Sequence, residues 1–113
     1  LTFLFLFSGS VYGDDFNDGW DAYQRKDYKE AVKWYRLSAD QGEEVSQYNL
    51  GYMYVKGQGV LQDYALAHMW FNLSGCNGNK NAVDNRNIVE KRMSPSQLEK
   101  AQDMARNWKP KTN

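Results

Sequence analysis

The chain has 113 residues, with 14 basic and 14 acidic side chains and a formal net charge of zero. This balance argues against a nucleic-acid-binding protein, because binding through neutralised phosphates normally shows a basic excess. Two prolines and nine glycines exclude collagen-like and proline-rich disordered chains, and 42% apolar residues are enough for the core of one small domain.

Residues 1–13 have the composition of a secretory signal. Six of the first seven residues are Leu or Phe, and small residues at positions 8–10 and Gly13 precede Asp14. We therefore expect the chain to begin within a signal peptide cleaved after Gly13, and the mature protein to be periplasmic or secreted. This segment is shorter than the roughly 20 helical residues that span a bilayer, so no stable membrane insertion is expected after cleavage. The alternative is that it forms a short buried helix or strand.

A 36-residue internal repeat covers residues 27–78. Asp27-Tyr28, Ala31, Trp34-Tyr35, Leu37-Ser38 and Gly42 recur as Asp63-Tyr64, Ala67, Trp70-Phe71, Leu73-Ser74 and Gly78. Apolar side chains in each copy recur at helical spacing, which predicts an amphipathic helix. Gly42 and Gly78 then lie where a glycine ends a helix in the left-handed conformation.

Upstream of each of these helices lies a second matching segment. Phe16-Asn17-Asp18-Gly19-Trp20 resembles Tyr48-Asn49-Leu50-Gly51-Tyr52, which begins 32 residues later. The difference from the 36-residue period falls in the connection, where residues 56–62 replace the shorter Arg25-Lys26. The longer connection contains Gly57 and Gly59, which suit a turn between antiparallel helices. Each unit is therefore predicted to be a helix, a turn and a second helix.

The third unit is less regular. Residues 79–93 are predicted to form a helix. Ser94-Pro95-Ser96-Gln97 is a strong helix start, because it offers an N-cap, a proline in the first turn and a capping-box glutamine. The apolar stripe of this last helix consists of Leu98, Ala101, Ala105 and Trp108, before Pro110. The last helix is predicted to cap the array, since one face of a terminal repeat meets water.

These residues resemble the Sel1-like repeat family, a branch of the tetratricopeptide-like helical repeats. The resemblance rests on residues 45–54, Gly57-Gln58-Gly59-Val60, Asp63-Tyr64, Ala67 and Trp70-Phe71 of the second unit. The first unit resembles the tetratricopeptide form, because it lacks the glycine loop. The resemblance implies an all-α solenoid of stacked antiparallel helix pairs, with about two and a half repeats and a C-terminal capping helix. It implies one repeat domain over residues 14–113, with units of about 14–42, 43–78 and 79–109.

The resemblance also implies where a partner binds. In such solenoids the first helix of each pair lines a concave surface that holds extended or helical peptides. The matching positions are Phe16, Asn17, Trp20, Tyr23 and Gln24 in the first unit and Tyr48, Asn49, Tyr52, Val55 and Lys56 in the second. Helical spacing places each set on one face, and aromatic side chains supply much of the binding energy at interfaces. The alternative is that these aromatic residues are inter-helix core, which is the role expected of Leu50, Met53 and Tyr54.

The chain offers little for catalysis. His68 is its only histidine, and we expect it to have a hydrogen-bonded packing role in a helix. Cys76 is its only cysteine, and we expect a small buried side chain at a helix end, with a reactive or intermolecularly bonded thiol as the alternative. No metal-ligand, nucleotide-loop or nucleophile motif is present, so no cofactor, metal or catalytic residue is assigned. The acids Asp14, Asp15, Asp18 and Asp21 are expected to form a solvated face rather than a cation site.

These features predict an exported protein–protein interaction module, an adaptor or scaffold that binds a protein or peptide partner on its concave face. No enzymatic activity is expected. Two alternatives stay open. One is a cell-wall hydrolase, since some Sel1-like proteins act on β-lactams, although those resemble cysteine-rich forms. The other is a self-associating structural subunit, whose homo-oligomer would cover the exposed stacking face.

Overall fold

The computed structural model describes residues 14–111, and these residues form six α-helices without a strand. The helices are α1 (residues 14–24), α2 (Tyr28–Asp40), α3 (Glu44–Lys56), α4 (Tyr64–Cys76), α5 (Lys80–Glu90) and α6 (Pro95–Asn107). Consecutive helices from α2 to α5 pack against one another, and α6 packs on α4. The prediction of an all-α solenoid of helix pairs is confirmed. The predicted signal segment, residues 1–13, lies outside the described residues.

The repeated Asp-Tyr pair marks the start of the second helix in each of the first two units. Asp27 caps α2 by accepting a hydrogen bond from the backbone N–H three residues later, at 3.4 Å. Asp63 caps α4 in the same way at 3.0 Å. Gly42 and Gly78, which follow these helices, have φ angles of +99° and +101°, a region that glycine enters at little steric cost. The internal repeat is therefore in part a repeat of helix boundaries.

Within each of these units the two helices approach closely at a glycine. A Cβ atom on Gly19 of α1 would lie 2.7 Å from Cδ1 of Tyr35 in α2. A Cβ atom on Gly51 of α3 would lie 2.8 Å from Cδ1 of Phe71 in α4. Because closely packed interiors leave no room for such an overlap, a side chain at either position would push the ring away. The two units therefore share one crossing, built from a glycine and a ring.

The core is formed by the facing sides of the helices. Its completely buried side chains include Ala31, Ala39, Leu50, Met53, Ala67 and Ala101. Leu50 and Met53 are 0% exposed and Tyr54 is 7% exposed, which confirms their prediction as core residues. The small alanines on α2 and α4 let neighbouring helices pack without a gap.

Buried polar side chains join the first unit to the second, and join the two helices of the second unit to each other. The side-chain amide of Gln47 in α3 donates to the carbonyl oxygen of Ala39 in α2 at 3.1 Å. The hydroxyl of Ser74 in α4 donates to the carbonyl oxygen of Glu44 at the start of α3, at 2.7 Å. Each bond links a side chain of one helix to the backbone of its neighbour, and a shift of either helix would break it.

The predicted start of the last helix is confirmed. Ser94 Oγ accepts the N–H of Gln97 at 3.1 Å, and Gln97 Oε1 accepts the N–H of Ser94 at 2.9 Å. The preceding helix is shorter than predicted. It ends at Glu90 instead of Met93, because the N–H groups of residues 91–93 bond to carbonyls three residues back and tighten into a turn.

The segment that follows α6 reaches back to the first unit. The ring of Trp108 meets the ring of Trp70 edge-on, with centroids 6.5 Å apart. Three residues later, the N–H of Lys111 donates to the carbonyl oxygen of Asp40 at 2.7 Å, and its Nζ lies 3.2 Å from Asp40 Oδ2. The C-terminal residues of the described chain therefore touch both α4 and the end of α2.

The expectation that Cys76 is buried is wrong, because its side chain is exposed. Cys76 is the last residue of α4 and lies two positions after the fully buried Ser74. Two residues turn a helix by about 200°, so Cys76 points away from the core that Ser74 faces.

The expectation that His68 has a hydrogen-bonded packing role is confirmed. It is 2% exposed, and its Nε2 lies 2.8 Å from Oε1 of Glu90 in α5.

Candidate functional site

A cleft where α1, α2 and α3 meet is lined mostly by aromatic side chains. It encloses about 210 Å³, and its lining consists of Trp20, Tyr23, Tyr35, Tyr48, Asn49 and Tyr52. Trp20 is 50% exposed and Tyr52 is 37% exposed, so these two rings form its rims. Tyr35 is 1% exposed and forms its floor. We call this cleft the aromatic groove.

The floor of the aromatic groove is held in place from below. The ring of Tyr35 lies against the backbone of Gly19 and is tilted on the ring of Phe16, with centroids 6.0 Å apart. Burial raises the pKa of the Tyr35 hydroxyl to about 12, and a hydrogen bond with the Asn49 side chain lowers it only in part. The floor therefore stays neutral at ordinary pH and presents a hydroxyl dipole.

The walls of the groove are fixed by neighbouring loops and helices. The Tyr23 hydroxyl donates to Oε1 of Gln58, in the glycine loop, at 3.1 Å. The Tyr48 hydroxyl accepts from the side-chain amide of Asn85, in α5, at 3.1 Å, and its ring is tilted on Phe71 at 5.8 Å. These bonds immobilise the two rings before any partner arrives, which lowers the entropy cost of binding.

The ten residues predicted to bind a partner fall into three groups. Five of them line the aromatic groove: Trp20, Tyr23, Tyr48, Asn49 and Tyr52. Phe16 is half-buried beneath the floor, and Val55 lines a neighbouring cleft. Asn17, Gln24 and Lys56 are exposed, and Lys56 places its Nζ 5.7 Å from the centroid of the Tyr52 ring. The structure thus brings half of the set together, and partner binding by these residues stays a prediction.

Known proteins share this arrangement of helices. The family model of the Sel1 repeat matches the chain twice, over residues 16–43 and 45–79. The chain belongs to the Sel1 repeat family. Sel1 repeats generally mediate protein–protein interactions and are typically non-enzymatic scaffolds. No curated protein matches this Sel1 repeat chain significantly.

A solved structure similar to this Sel1 repeat chain is that of a protective antigen present in uropathogenic Escherichia coli strains, which displays an SLR fold. The two chains are 34% identical, and they superpose with a TM-score of 0.83 over 86% of this chain. The matched region is 22% of that antigen, so this chain spans about a fifth of its length. The similarity confirms the fold of the Sel1 repeats.

Tyr35 was not predicted to be in the site, because it lies on the second helix of its Sel1 repeat and the partner-binding positions were expected on the first helix. The available signal was its pairing with Gly19. Since the crossing at this glycine is so close, the ring in α2 reaches the space between α1 and α3. The equivalent ring in the second repeat, Phe71, lines a cleft in the same way.

That second cleft extends the apolar surface from α3 to α5. It encloses about 100 Å³, and its lining consists of Tyr52, Val55, Phe71, Asn85, Ile88 and Val89. Tyr52 lines both clefts, so the first helices of all three units contribute to one continuous surface. Ile88, which is 56% exposed, was not among the residues predicted to line this surface, because α5 lies outside both segments that match the Sel1 repeat.

A third hollow is a weaker candidate. It runs along α6 with a volume of about 560 Å³, and its lining includes Met69, Glu99, Lys100, Asp103 and Trp108. Its charged side chains are exposed and of both signs, so they are well solvated without a partner. The aromatic groove is smaller but is lined by rings and by a single amide, as binding sites usually are.

The residues considered for catalysis or metal binding do not come together in the described chain. The imidazole of His68 is engaged with Glu90, and the exposed Cys76 lies at the far end of the same helix. Within residues 14–111, no three His, Cys, Asp or Glu side chains are grouped to hold a metal ion. Nor is any helix in this range long and apolar enough to cross a bilayer. Burial is the main cause that raises the pKa of the Asp15 carboxyl, and the negative charges of Asp18 and Asp14 raise it further.

Proposed function

We propose that the protein is an exported adaptor that binds a peptide or protein partner on the face formed by α1, α3 and α5. The observation that supports this most directly is the aromatic groove, with Trp20 and Tyr52 exposed on its two rims. Buried aromatic anchors dominate the energetics of interfaces, and Trp and Tyr are the residues most enriched there. The two rings border one cleft instead of standing singly on the surface, and exposed apolar patches of this kind often mark interaction sites.

The groove is suited to recognition because it is preformed. Tyr23, Tyr35 and Tyr48 are fixed by contacts with Gln58, Asn49 and Asn85, as described above. A partner would therefore find three of the five rings of the groove already ordered. Since ordering costs free energy for every side chain immobilised, a rigid groove binds more tightly than a flexible one of the same area.

Export is part of the proposal and is supported by the apolar, charge-free composition of residues 1–13. A periplasmic or secreted location predicts that the mature chain starts at Asp14. Mass spectrometry of protein purified from the periplasm and the medium of a bacterial host tests this. Recovery of the protein only from the cytosol, with residues 1–13 still attached, would contradict export.

The adaptor proposal is tested by capturing partners on immobilised protein. The double variant Trp20→Ala/Tyr52→Ala removes both rims, and Leu37→Ala/Leu61→Ala is its matched control. Leu37 and Leu61 are 44% and 90% exposed and line neither cleft. We expect a partner held by the parent and the control to be lost by the rim variant, with unchanged circular dichroism in all three. Equal capture by all three would move the site to another face.

Self-association is the outcome that would redirect the proposal. If the parent forms a stable homodimer that the rim variant abolishes, the groove binds a second copy of the chain. Size-exclusion chromatography with light scattering, at several protein concentrations, distinguishes this from a monomeric adaptor. A dimer that persists in the rim variant would leave the groove free for a partner.

A further inference from the structure

The lining of the aromatic groove contains five rings and one amide, and no aliphatic side chain. This composition separates two kinds of peptide partner. Grooves that take an amphipathic helix are apolar surfaces that receive side chains at helical spacing, whereas grooves that take a polyproline II segment are lined by aromatic rings. The lining therefore favours a proline-rich segment over a helix.

The groove is also small. It encloses about 210 Å³ between rims on α1 and α3. An α-helix is about 10 Å wide, so only one of its faces could enter such a cleft. A polyproline II segment is slimmer, rises about 3.1 Å per residue and offers flat pyrrolidine faces. Such faces stack on the rings of Trp20 and Tyr52 without a deep pocket.

Polar groups in the groove complement the backbone of such a segment. Polyproline II has no internal hydrogen bonds, so its carbonyl oxygens are free to accept from a partner. The ring N–H of Trp20, the hydroxyl of Tyr52 and the side-chain amide of Asn49 are donors in the lining. A helix would offer these donors no backbone acceptor, because its carbonyls are already bonded within the helix.

Charge around the groove specifies the flanks of the segment. The lining itself is uncharged, which excludes charged side chains from the portion that enters. Beside the α1 rim, Asp21 directly follows Trp20 in the chain and is exposed. Asp21 forms no ion pair with another residue of the described range 14–111. Lys56 stands at the opposite rim beside Tyr52, so a basic flank is attracted to the α1 side and repelled at α3.

We propose that the aromatic groove binds a proline-rich segment in the polyproline II conformation, with a lysine or arginine next to it that pairs with Asp21. This inference rests on the proposed function and names the class of its partner. The rings of Trp20 and Tyr52 hold the prolines, and Asp21 selects the basic flank and speeds association.

The test uses the purified full chain and fluorescein-labelled peptides, with binding followed by fluorescence anisotropy. The first peptide has eight prolines with two arginines at one end, and the second carries glutamates in place of the arginines. We expect the arginine peptide to bind more tightly, and Trp20→Ala to weaken it about tenfold or more. Leu37→Ala, on an exposed site outside the groove, is expected to leave the affinity unchanged.

The role of Asp21 is tested by removing its charge and by reversing it. We expect Asp21→Asn to weaken the arginine peptide about threefold, as for an exposed ion pair, and to leave the glutamate peptide unaffected or slightly tighter. Asp21→Lys should reverse the preference between the two peptides. Equal affinities of the parent for both peptides would overturn the basic flank, and circular dichroism confirms that each variant is folded.

A third peptide, a leucine-rich amphipathic helix of equal length and charge, decides between the two conformations. Tighter binding of this helix than of the arginine peptide, with loss in Trp20→Ala, would overturn the proline-rich segment and keep the groove as a binding site. Failure of the proline peptides while a captured partner still requires Trp20 and Tyr52 would also overturn this inference and leave the adaptor function standing. Capture that is independent of both rims would instead remove the function on which the inference rests.

Discussion

The first two units share a backbone crossing but differ in the ring placed on it. In the first unit Tyr35 lies on Gly19, and its hydroxyl meets Asn49 of the next helix. In the second unit Phe71, which has no hydroxyl, lies on Gly51 and lines a mostly apolar cleft. One oxygen atom thus separates a polar floor from an apolar one. The two units therefore have the same helix packing at this crossing and differ in the polarity of the ring edge.

The largest effect is expected from removing the ring of the second unit. Phe71 is 1% exposed, so Phe71→Ala leaves a cavity and should lower the free energy of unfolding by about 3–5 kcal/mol. Ile88→Ala, in the same cleft but 56% exposed, is the matched control and should cost less than about 1 kcal/mol. Urea unfolding followed by circular dichroism measures both. Similar losses for the two variants would show that Phe71 is not a packing centre.

Stability at alkaline pH depends on the hydroxyl of Tyr35, which Phe71 lacks. The unfolded chain loses the Tyr35 proton near pH 10, whereas burial holds the pKa in the fold at about 12. Between these values the folded state keeps a proton that the unfolded state has lost, so the free energy of unfolding falls as pH rises, by about 2–3 kcal/mol. Tyr35→Phe removes this group and should flatten the decline. Parallel curves for parent and variant from urea unfolding across this window would contradict the assignment.

The glycine crossings are tested with a single methyl group. Gly19→Ala and Gly51→Ala each place a Cβ atom within 2.8 Å of a ring carbon, which forces the helices apart. Overpacking outweighs the better helix propensity of alanine, so each variant should lose about 1–2 kcal/mol of stability. Gln24→Ala, at an exposed position of α1, controls for propensity alone. Thermal unfolding midpoints at or above that of the parent for both glycine variants would show that the crossing relaxes freely.

The smallest effect comes from the hydroxyl at neutral pH. Tyr35→Phe removes one hydrogen bond with Asn49 and should cost about 1 kcal/mol. A double-mutant cycle with Asn49→Ala isolates this bond, because the loss in the double variant should be less than the sum of the single losses. Strict additivity would mean that the two side chains do not interact.

Helix starts and core positions were predictable from the sequence, because they depend on local chemistry. Asp27 and Asp63 cap their helices through the next turn of their own chain, and Ser94 and Gln97 satisfy each other. Leu50 was assignable to the core because helical periodicity gives the direction of the buried side. None of these assignments needed to know how the helices are arranged in space.

The floor of the groove and the second cleft were not predictable, since both depend on distances between helices. Periodicity places Tyr35 on the inner side of α2 but does not say that its ring reaches the gap beyond α1. Ile88 escaped notice because α5 lacks the repeat pattern that marked the other first helices. Cys76 was misplaced for a related reason. The small residues around it indicated a helix end, but not which way its last side chain points.

The bond between Lys111 and Asp40 joins residues that are far apart along an otherwise locally connected array. In a stack where each unit touches only its neighbours, the terminal units unravel independently, and melting spreads inward. A link from beyond α6 to the end of α2 closes a loop that spans the second and third units, so the segment after α6 cannot separate from the first unit without opening this contact. The third unit is thereby held to the end of the first unit as well as to the second, so its separation would also expose the C-terminal end of α2.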